Sequence, residues 1–136
     1  MSDRPSELAV NGMCFACGKE NPVGLRLDFH LEGEEYVTRF EVKPEYQGWS
    51  QMVHGGLLAT VLDEVMTRLL WEKGISSVTA RLEVRYRKPV PVGSVLEVRS
   101  RLVRHRPPLL ELEAAATLPD GTVVAEAKGT SVEVTA

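Results

Sequence analysis

The chain has 136 residues, of which 43% are hydrophobic and 26% charged, and its formal net charge is −3. This length and composition fit one domain with a packed core and argue against extended disorder. The slight acidity excludes a general nucleic-acid binder, which needs a strongly basic surface. No apolar run approaches the ~18 residues of a membrane span, and the polar N-terminus carries no signal peptide. We therefore expect a cytoplasmic protein that binds neither membranes nor nucleic acid.

Two alternating segments, 25–31 and 36–42, follow a turn-rich N-terminal stretch. Apolar and polar residues alternate in both segments, which is the period of a half-buried strand. The intervening Glu32-Gly33-Glu34 is typical of a turn, so the pair is predicted to form a hairpin. We expect a single domain over 1–136, with 1–24 as an N-terminal loop and 25–136 as the core.

The pattern changes to that of a helix over 55–73. This stretch has no proline and no interior glycine beyond Gly56. Gly74 follows it as a natural stop, with Lys73 in the last turn. A wide apolar face recurs at helical spacing, formed by Leu57, Leu58, Val61, Leu62, Val65, Met66, Leu69 and Leu70.

The rest of the chain is predicted to be β-structure. Strands are expected at 76–88, 95–104, 109–118 and 123–134, separated by proline- and glycine-rich breaks. The element order is then β-β-α-β-β-β-β. One long helix can bury its apolar face only against the sheet, which implies an α+β fold with a single helix. The short connections between the last four strands favour antiparallel meanders.

The two cysteines, Cys14 and Cys17, form a CxxC pair. A structural zinc site usually needs four Cys or His ligands, and His30, His54 and His105 lie without paired spacing. A redox CxxC would open a helix after a strand, whereas glycine and proline surround this pair. We therefore expect a compact loop with two small buried thiols and neither a metal nor a cofactor.

The residues that could carry chemistry cluster around the predicted helix. Phosphate-binding loops, a GxSxG elbow and an HExxH motif are absent from the sequence. His54-Gly55-Gly56 stands immediately before the helix, where free N–H groups and the helix dipole favour negative charge. An oxyanion could bind there, although local spacing alone favours a simpler explanation, a steric need for glycine at the turn. Asp63 lies mid-helix on a stripe of small residues, where a ligand could approach.

These residues carry a resemblance to a known family. The segment 47–64, with Val78-Thr79-Ala80 and Tyr86-Arg-Lys-Pro89, resembles the hotdog-fold acyl-CoA thioesterases of the PaaI-like branch. The cysteine motif and Asn21-Pro-Val-Gly-Leu25 are similar to a subgroup of that branch. The resemblance covers about residues 13–134. It implies one long helix wrapped by a six-stranded antiparallel sheet, and hydrolysis of an acyl-CoA thioester to free acid and CoA.

The resemblance also implies roles for individual residues. Gly55 would supply an oxyanion-hole N–H, with Gly56 beside it. Asp63 would act as base or nucleophile, Thr79 would help to hold the water, and His54 would order the loop at the helix start.

Other residues are candidates for binding the substrate. The family asparagine that precedes the HGG motif is missing here, so Ser50 or Gln51 substitutes for it, or no side chain does. Glu64 is rotated by ~100° from Asp63 around the helix, and a solvent-exposed position at the border of the apolar face explains it more simply. Arg85 and Lys88 belong to a set of basic residues that could meet the CoA phosphates, although a solvated charged face explains them equally well.

The spacing of two candidates predicts an assembly. Gly55 and Asp63 are eight residues apart, or ~12 Å along one helix. One thioester carbonyl cannot contact both at ~3 Å. If both act on one carbonyl, Asp63 must come from a second copy, which makes the protein a dimer with two equal sites. We expect these dimers to pair into a homotetramer.

Two further functions compete with thioester hydrolysis. A hotdog-fold enoyl-CoA hydratase or dehydratase would need a catalytic His–carboxylate pair, which His54 could form with Asp63 or Glu64. A non-catalytic homodimer that binds acyl-CoA is the third reading. The sequence does not identify the acyl group.

Overall fold

Six strands and one long helix make up the fold in a computed structural model, which describes residues 8–134. The elements in chain order are β1 (Phe29–Glu32), β2 (Glu35–Glu41), a short 3₁₀ turn (Pro44–Tyr46), α1 (Gly55–Glu72), β3 (Ser77–Tyr86), β4 (Val95–Arg106), β5 (Leu109–Thr117) and β6 (Val123–Glu133). No helix within the described residues is long and apolar enough to cross a membrane.

Helix α1 begins and ends at caps that the sequence encodes locally. His54 is the N-cap, and its side chain accepts a hydrogen bond from the Gly56 N–H. At the other end Gly74 adopts φ +82°. The Gly74 N–H donates to the Trp71 carbonyl at 3.0 Å and the Ile75 N–H to the Leu70 carbonyl at 2.9 Å. This is a Schellman motif, which needs glycine for the left-handed residue, and it confirms the predicted stop.

The sheet is antiparallel throughout, with strand order β1-β2-β4-β5-β6-β3. The single-helix α+β architecture is therefore confirmed. The predicted meander holds only for β4, β5 and β6, because β3 pairs with β6 at the far edge of the sheet. The segment 87–94 contains Pro89 and Pro91 and makes no hairpin, so β4 is free to pair with β2 instead.

The core lies between α1 and one face of the sheet. Burial on the helix recurs at helical spacing, at Leu58, Val61, Leu62, Val65, Met66, Leu69 and Leu70. Ser100 is buried among these side chains and donates its hydroxyl to the Val65 carbonyl at 2.6 Å. Each buried aliphatic side chain contributes about 1.5–3 kcal/mol relative to exposure. Burial of this stripe therefore holds α1 against the sheet.

Strand β1 begins four residues later than the alternation predicts. The Leu25 N–H donates to the Phe15 carbonyl and the Leu27 N–H to the Ala16 carbonyl. Residues 25–28 are thus bonded to the N-terminal loop, and sheet pairing starts at Phe29. Alternation marked the apolar residues correctly, but it does not reveal which partner their backbone has.

A β-bulge in β3 reverses which residues face the helix. Register with β6 shifts between Thr79 and Arg81. Thr79 pairs with Ser131, which is buried, and Leu82 pairs with Gly129, where the side chain of Met66 packs. Thr79 and Leu82 therefore point to the helix side of the sheet. Strict alternation through the strand would have placed Thr79 on the opposite face.

Candidate functional site

The start of α1 presents one unbonded backbone N–H. The Gly56 N–H donates to Nδ1 of His54 at 2.9 Å. A neutral imidazole that accepts at Nδ1 is the tautomer with its proton on Nε2. Within the part of the chain that the structure describes, the Gly55 N–H has no hydrogen-bond acceptor. Of the two glycine amides that the sequence singled out, Gly56 is therefore occupied by the cap, and Gly55 is free for a ligand. His54 itself is placed by its own N–H, which donates to the Tyr46 carbonyl at 2.8 Å.

An open cleft of about 590 Å³ surrounds this N–H, and Trp49 and Tyr86 line it together with Gly48, Val53, His54, Gly55 and Gly56. The Tyr86 hydroxyl donates to the Gly55 carbonyl at 2.7 Å. A Cβ on Gly48 would lie 3.1 Å from the Cα of His54, so glycine allows the loop to pack against the helix start. Trp49 is 82% exposed in the single chain.

Asp63 lies further along the helix and contacts β3. The Thr79 hydroxyl donates to Oδ1 of Asp63 at 2.8 Å, and the Thr67 hydroxyl lies 3.4 Å from that of Thr79. Burial raises the pKa of Asp63 above its ordinary value, and the hydrogen bond from Thr79 opposes this in part. A carboxylate with a raised pKa is suited to accept a proton from water.

The contact between Asp63 and Thr79 depends on the bulge. Only the reversal at residue 80 turns the Thr79 side chain towards the helix. Both side chains lie near the outer edge of the sheet, where Thr79 is exposed in the single chain. The helix start and the Asp63–Thr79 pair are therefore two separate groups on one surface, ~12 Å apart along α1.

The four remaining candidates on loops and strands lie outside the lining of this cleft. Ser50 and Gln51 are exposed, and the Gln51 backbone is held by bonds to Gln47 and Val92. Arg85 pairs with Glu126 in β6, on the face of the sheet opposite α1. Lys88 is exposed beyond the end of β3, and its N–H donates to the Val124 carbonyl.

The sequence analysis missed two contributors to the cleft. Neither Trp49 nor Tyr86 was given an individual role there. An exposed tryptophan beside a glycine-rich loop could have been suspected as a contact for a ligand. Nothing in the sequence alone pairs the Tyr86 hydroxyl with Gly55, which lies 31 positions away.

Glu64 lies apart from the cleft and contacts the cysteine loop. Sγ of Cys14 is 3.5 Å from Oε2 of Glu64. Burial, followed by the hydrogen bond and negative charge of Glu64, raises the pKa of the Cys17 thiol strongly. Both cysteines are free and only partly buried, so the two thiols are less buried than expected. The segment is nonetheless a loop, as predicted.

The family of the chain follows from comparison with known proteins. The protein-family model described as "Thioesterase superfamily" matches residues 50–125, which is more than half of the chain. The matched region includes the glycine pair, Asp63 and Thr79. The chain belongs to the thioesterase superfamily.

Individual relatives agree with this assignment. Acyl-coenzyme A thioesterase THEM4 of Rattus norvegicus is 41% identical over 66 residues, which are 48% of this chain and 28% of that protein. A solved protein of the thioesterase superfamily matches with a TM-score of 0.81 and 25% identity, covering 86% of this chain and 61% of the other. PaaI of E. coli, from the phenylacetic acid degradation operon, has the same fold, with a TM-score of 0.76, 17% identity and coverage of 81% and 80%. The predicted PaaI-like hotdog fold is confirmed.

Proposed function

We propose that the chain is an acyl-CoA thioesterase that hydrolyses an acyl-CoA to the free acid and CoA. The observation that carries the proposal is the pair of groups on one surface. An unbonded N–H at the start of α1 lies in an open cleft, and a partly desolvated carboxylate lies on the same helix. The name of the rat relative supports acyl-CoA as the substrate class.

The chemistry needs only these groups and water. Water attacks the thioester carbonyl while Asp63 accepts one of its protons. The Gly55 N–H stabilises the oxygen that becomes negative, with help from the helix dipole. The tetrahedral intermediate collapses, the C–S bond breaks, and CoA leaves as a thiolate that takes up the proton held by Asp63. Thr79 orients the carboxylate.

We further propose that two chains form each site. Strand β3 stands at one end of the sheet, so one of its edges is unpaired within the described residues. Val78, Leu82 and Tyr86 on this strand are 45%, 37% and 51% exposed, and an apolar sheet edge favours association with another chain. An antiparallel arrangement of two α1 helices there would bring Asp63 of one copy towards Gly55 of the other. Dimers that pair again would give the homotetramer implied by the sequence, and light scattering would give two or four times the mass of one chain.

A thiol-release assay tests the activity. Purified protein is incubated with short, long and aromatic acyl-CoAs, and free CoA is measured with a thiol reagent. Asp63→Asn is the negative control, and Glu72→Gln is a matched control for a carboxylate on the same helix. Binding without turnover across the panel would refute hydrolysis and support a non-catalytic acyl-CoA-binding dimer.

The hydratase alternative is less well supported. It needs a histidine and a carboxylate that act together, but Nδ1 of His54 accepts from the Gly56 N–H, and Asp63 lies more than two helical turns away. Formation of an enoyl chromophore without release of thiol would nevertheless identify that reaction.

A further inference from the structure

The N-terminal loop and α1 bring three metal-binding side chains together. Sγ of Cys14, Sγ of Cys17 and a carboxylate oxygen of Glu64 all lie within 4.8 Å of one another. The cysteines come from one tight turn, in which the Gly18 N–H donates to the Cys14 carbonyl at 2.8 Å. Glu64 comes from the helix, 50 positions further along the chain. The proposed hydrolysis gives these three residues no role.

We propose that Cys14, Cys17 and Glu64 form a zinc site that fastens the N-terminal loop to α1. The sequence predicted no metal because it offers only two cysteines and no histidine at a paired spacing. The third ligand is a carboxylate, and only the tertiary structure places it beside the thiols.

The spacing of the three atoms agrees with tetrahedral zinc. Bonds of about 2.3 Å to sulfur and 2.0–2.2 Å to oxygen put a sulfur and an oxygen ligand about 3.6 Å apart, and two sulfur ligands about 3.8 Å apart. The distance between Cys14 Sγ and Glu64 Oε2 is 3.5 Å. Small side-chain rotations therefore complete the geometry, and water takes the fourth position.

The chemistry of the donors selects zinc over other common cations. Thiolates are soft ligands that suit zinc, whereas magnesium and calcium prefer sites made of oxygen alone. Binding exchanges the two thiol protons for the metal ion and releases them to solvent. A redox role fits less well, because reactive CxxC pairs lie in electropositive surroundings and the neighbour here is a carboxylate.

The loop is built so that a metal there would fix its position. A Cβ on Gly18 would lie 2.3 Å from the Gly12 carbonyl oxygen, so the turn requires glycine. Ala16, between the two cysteines, is 3% exposed in the core. Since Glu64 follows Asp63 directly, the metal would also hold the helix beside the candidate catalytic carboxylate.

Metal binding tests the proposal without any measurement of hydrolysis. The full chain is stripped with chelator under a non-thiol reductant, two free thiols per chain are verified by titration, and zinc is then added back. We expect about one zinc per chain by elemental analysis and native mass spectrometry. Cobalt should produce thiolate-to-metal charge-transfer absorption, which the Cys14→Ser/Cys17→Ser double variant abolishes.

The near-isosteric Glu64→Gln variant keeps the test decisive even if the serine variant fails to fold. We expect it to bind zinc at least ~10-fold more weakly than the parent, whereas Glu72→Gln, on the same helix, binds like the parent. Circular dichroism verifies that each variant is folded. Absence of stoichiometric zinc from the reduced parent would overturn the proposal, and so would equal affinity in the folded Glu64→Gln variant.

Discussion

Replacing Gly55 with proline removes one N–H from the helix start with little other change. Gly55 is the first residue of α1, where the fixed φ of proline suits the helix and no intrahelical bond is lost. His54 has φ −69° and ψ 127°, which is the extended conformation that a following proline requires. A Cβ at Gly55 would lie 3.5 Å from the Tyr86 ring, an ordinary contact. Gly55→Ala adds the same Cβ but keeps the N–H, and is the matched control.

The size of the effect follows from the loss of one oxyanion donor. Removing such a donor lowers kcat by about 10²–10³-fold. We therefore expect Gly55→Pro to lose at least ~100-fold in kcat for thioester hydrolysis, while Gly55→Ala retains most of its activity. An equal loss in both variants would show that the Cβ, rather than the missing N–H, causes the defect.

A mixed dimer tests whether one site draws on two chains. Differently tagged Gly55→Pro and Asp63→Asn chains are co-expressed, and the heterodimer is purified through both tags. Each parent homodimer has a defect in both of its sites. In the heterodimer one site receives an intact Gly55 and an intact Asp63, and the other receives both defects, so about half of the normal activity per dimer should return. A folded heterodimer without recovery would refute the shared site.

Three further predictions follow from the same contacts. Asp63→Asn should lower kcat/KM by at least ~100-fold, whereas Glu64→Gln, which is distant from the cleft, should change it far less; equal losses would contradict the assignment. Burial raises the pKa of Asp63 in the folded protein above its value in the unfolded chain. The free energy of unfolding of the parent therefore falls as pH rises from the unfolded pKa through the folded pKa. Asp63→Asn should therefore unfold at a higher denaturant concentration than the parent near pH 7, and the difference between the two midpoints should disappear below pH ~4. A constant difference across that range would count against a raised pKa. Thr79→Ala should stay folded and move the acid limb of kcat/KM to higher pH, because the hydrogen bond from Thr79 lowers the Asp63 pKa in the parent and its removal raises that pKa. A large fall in Tm with unchanged activity would mark Thr79 as structural.

Much of the candidate site was accessible from the sequence because its determinants are local. Two glycines after a histidine and before an apolar helical stripe predict a helix start with exposed amides. Asp63 stands out as a carboxylate among small residues in mid-helix. Thr79 was identified through the family resemblance, because strict alternation along β3 would place its side chain on the face of the sheet opposite α1. The cap formed by His54 explains why the Gly56 N–H is hydrogen-bonded and the Gly55 N–H is not. Sequence spacing alone does not distinguish the two amides.

The sequence by itself determined the elements whose signals lie within a few residues. The 3.6-residue period predicts α1, Gly74 ends it, and alternation predicts the strands, because burial of one face requires those patterns. Only the tertiary structure decided what meets across the chain. The placement of β3 beside β6, its bulge, the bond from Tyr86 to Gly55 and the contact of Cys14 with Glu64 join residues that are far apart in sequence. Such contacts depend on which strand edges pair and on how the loops cross, and the period of a segment carries no information about its distant partner.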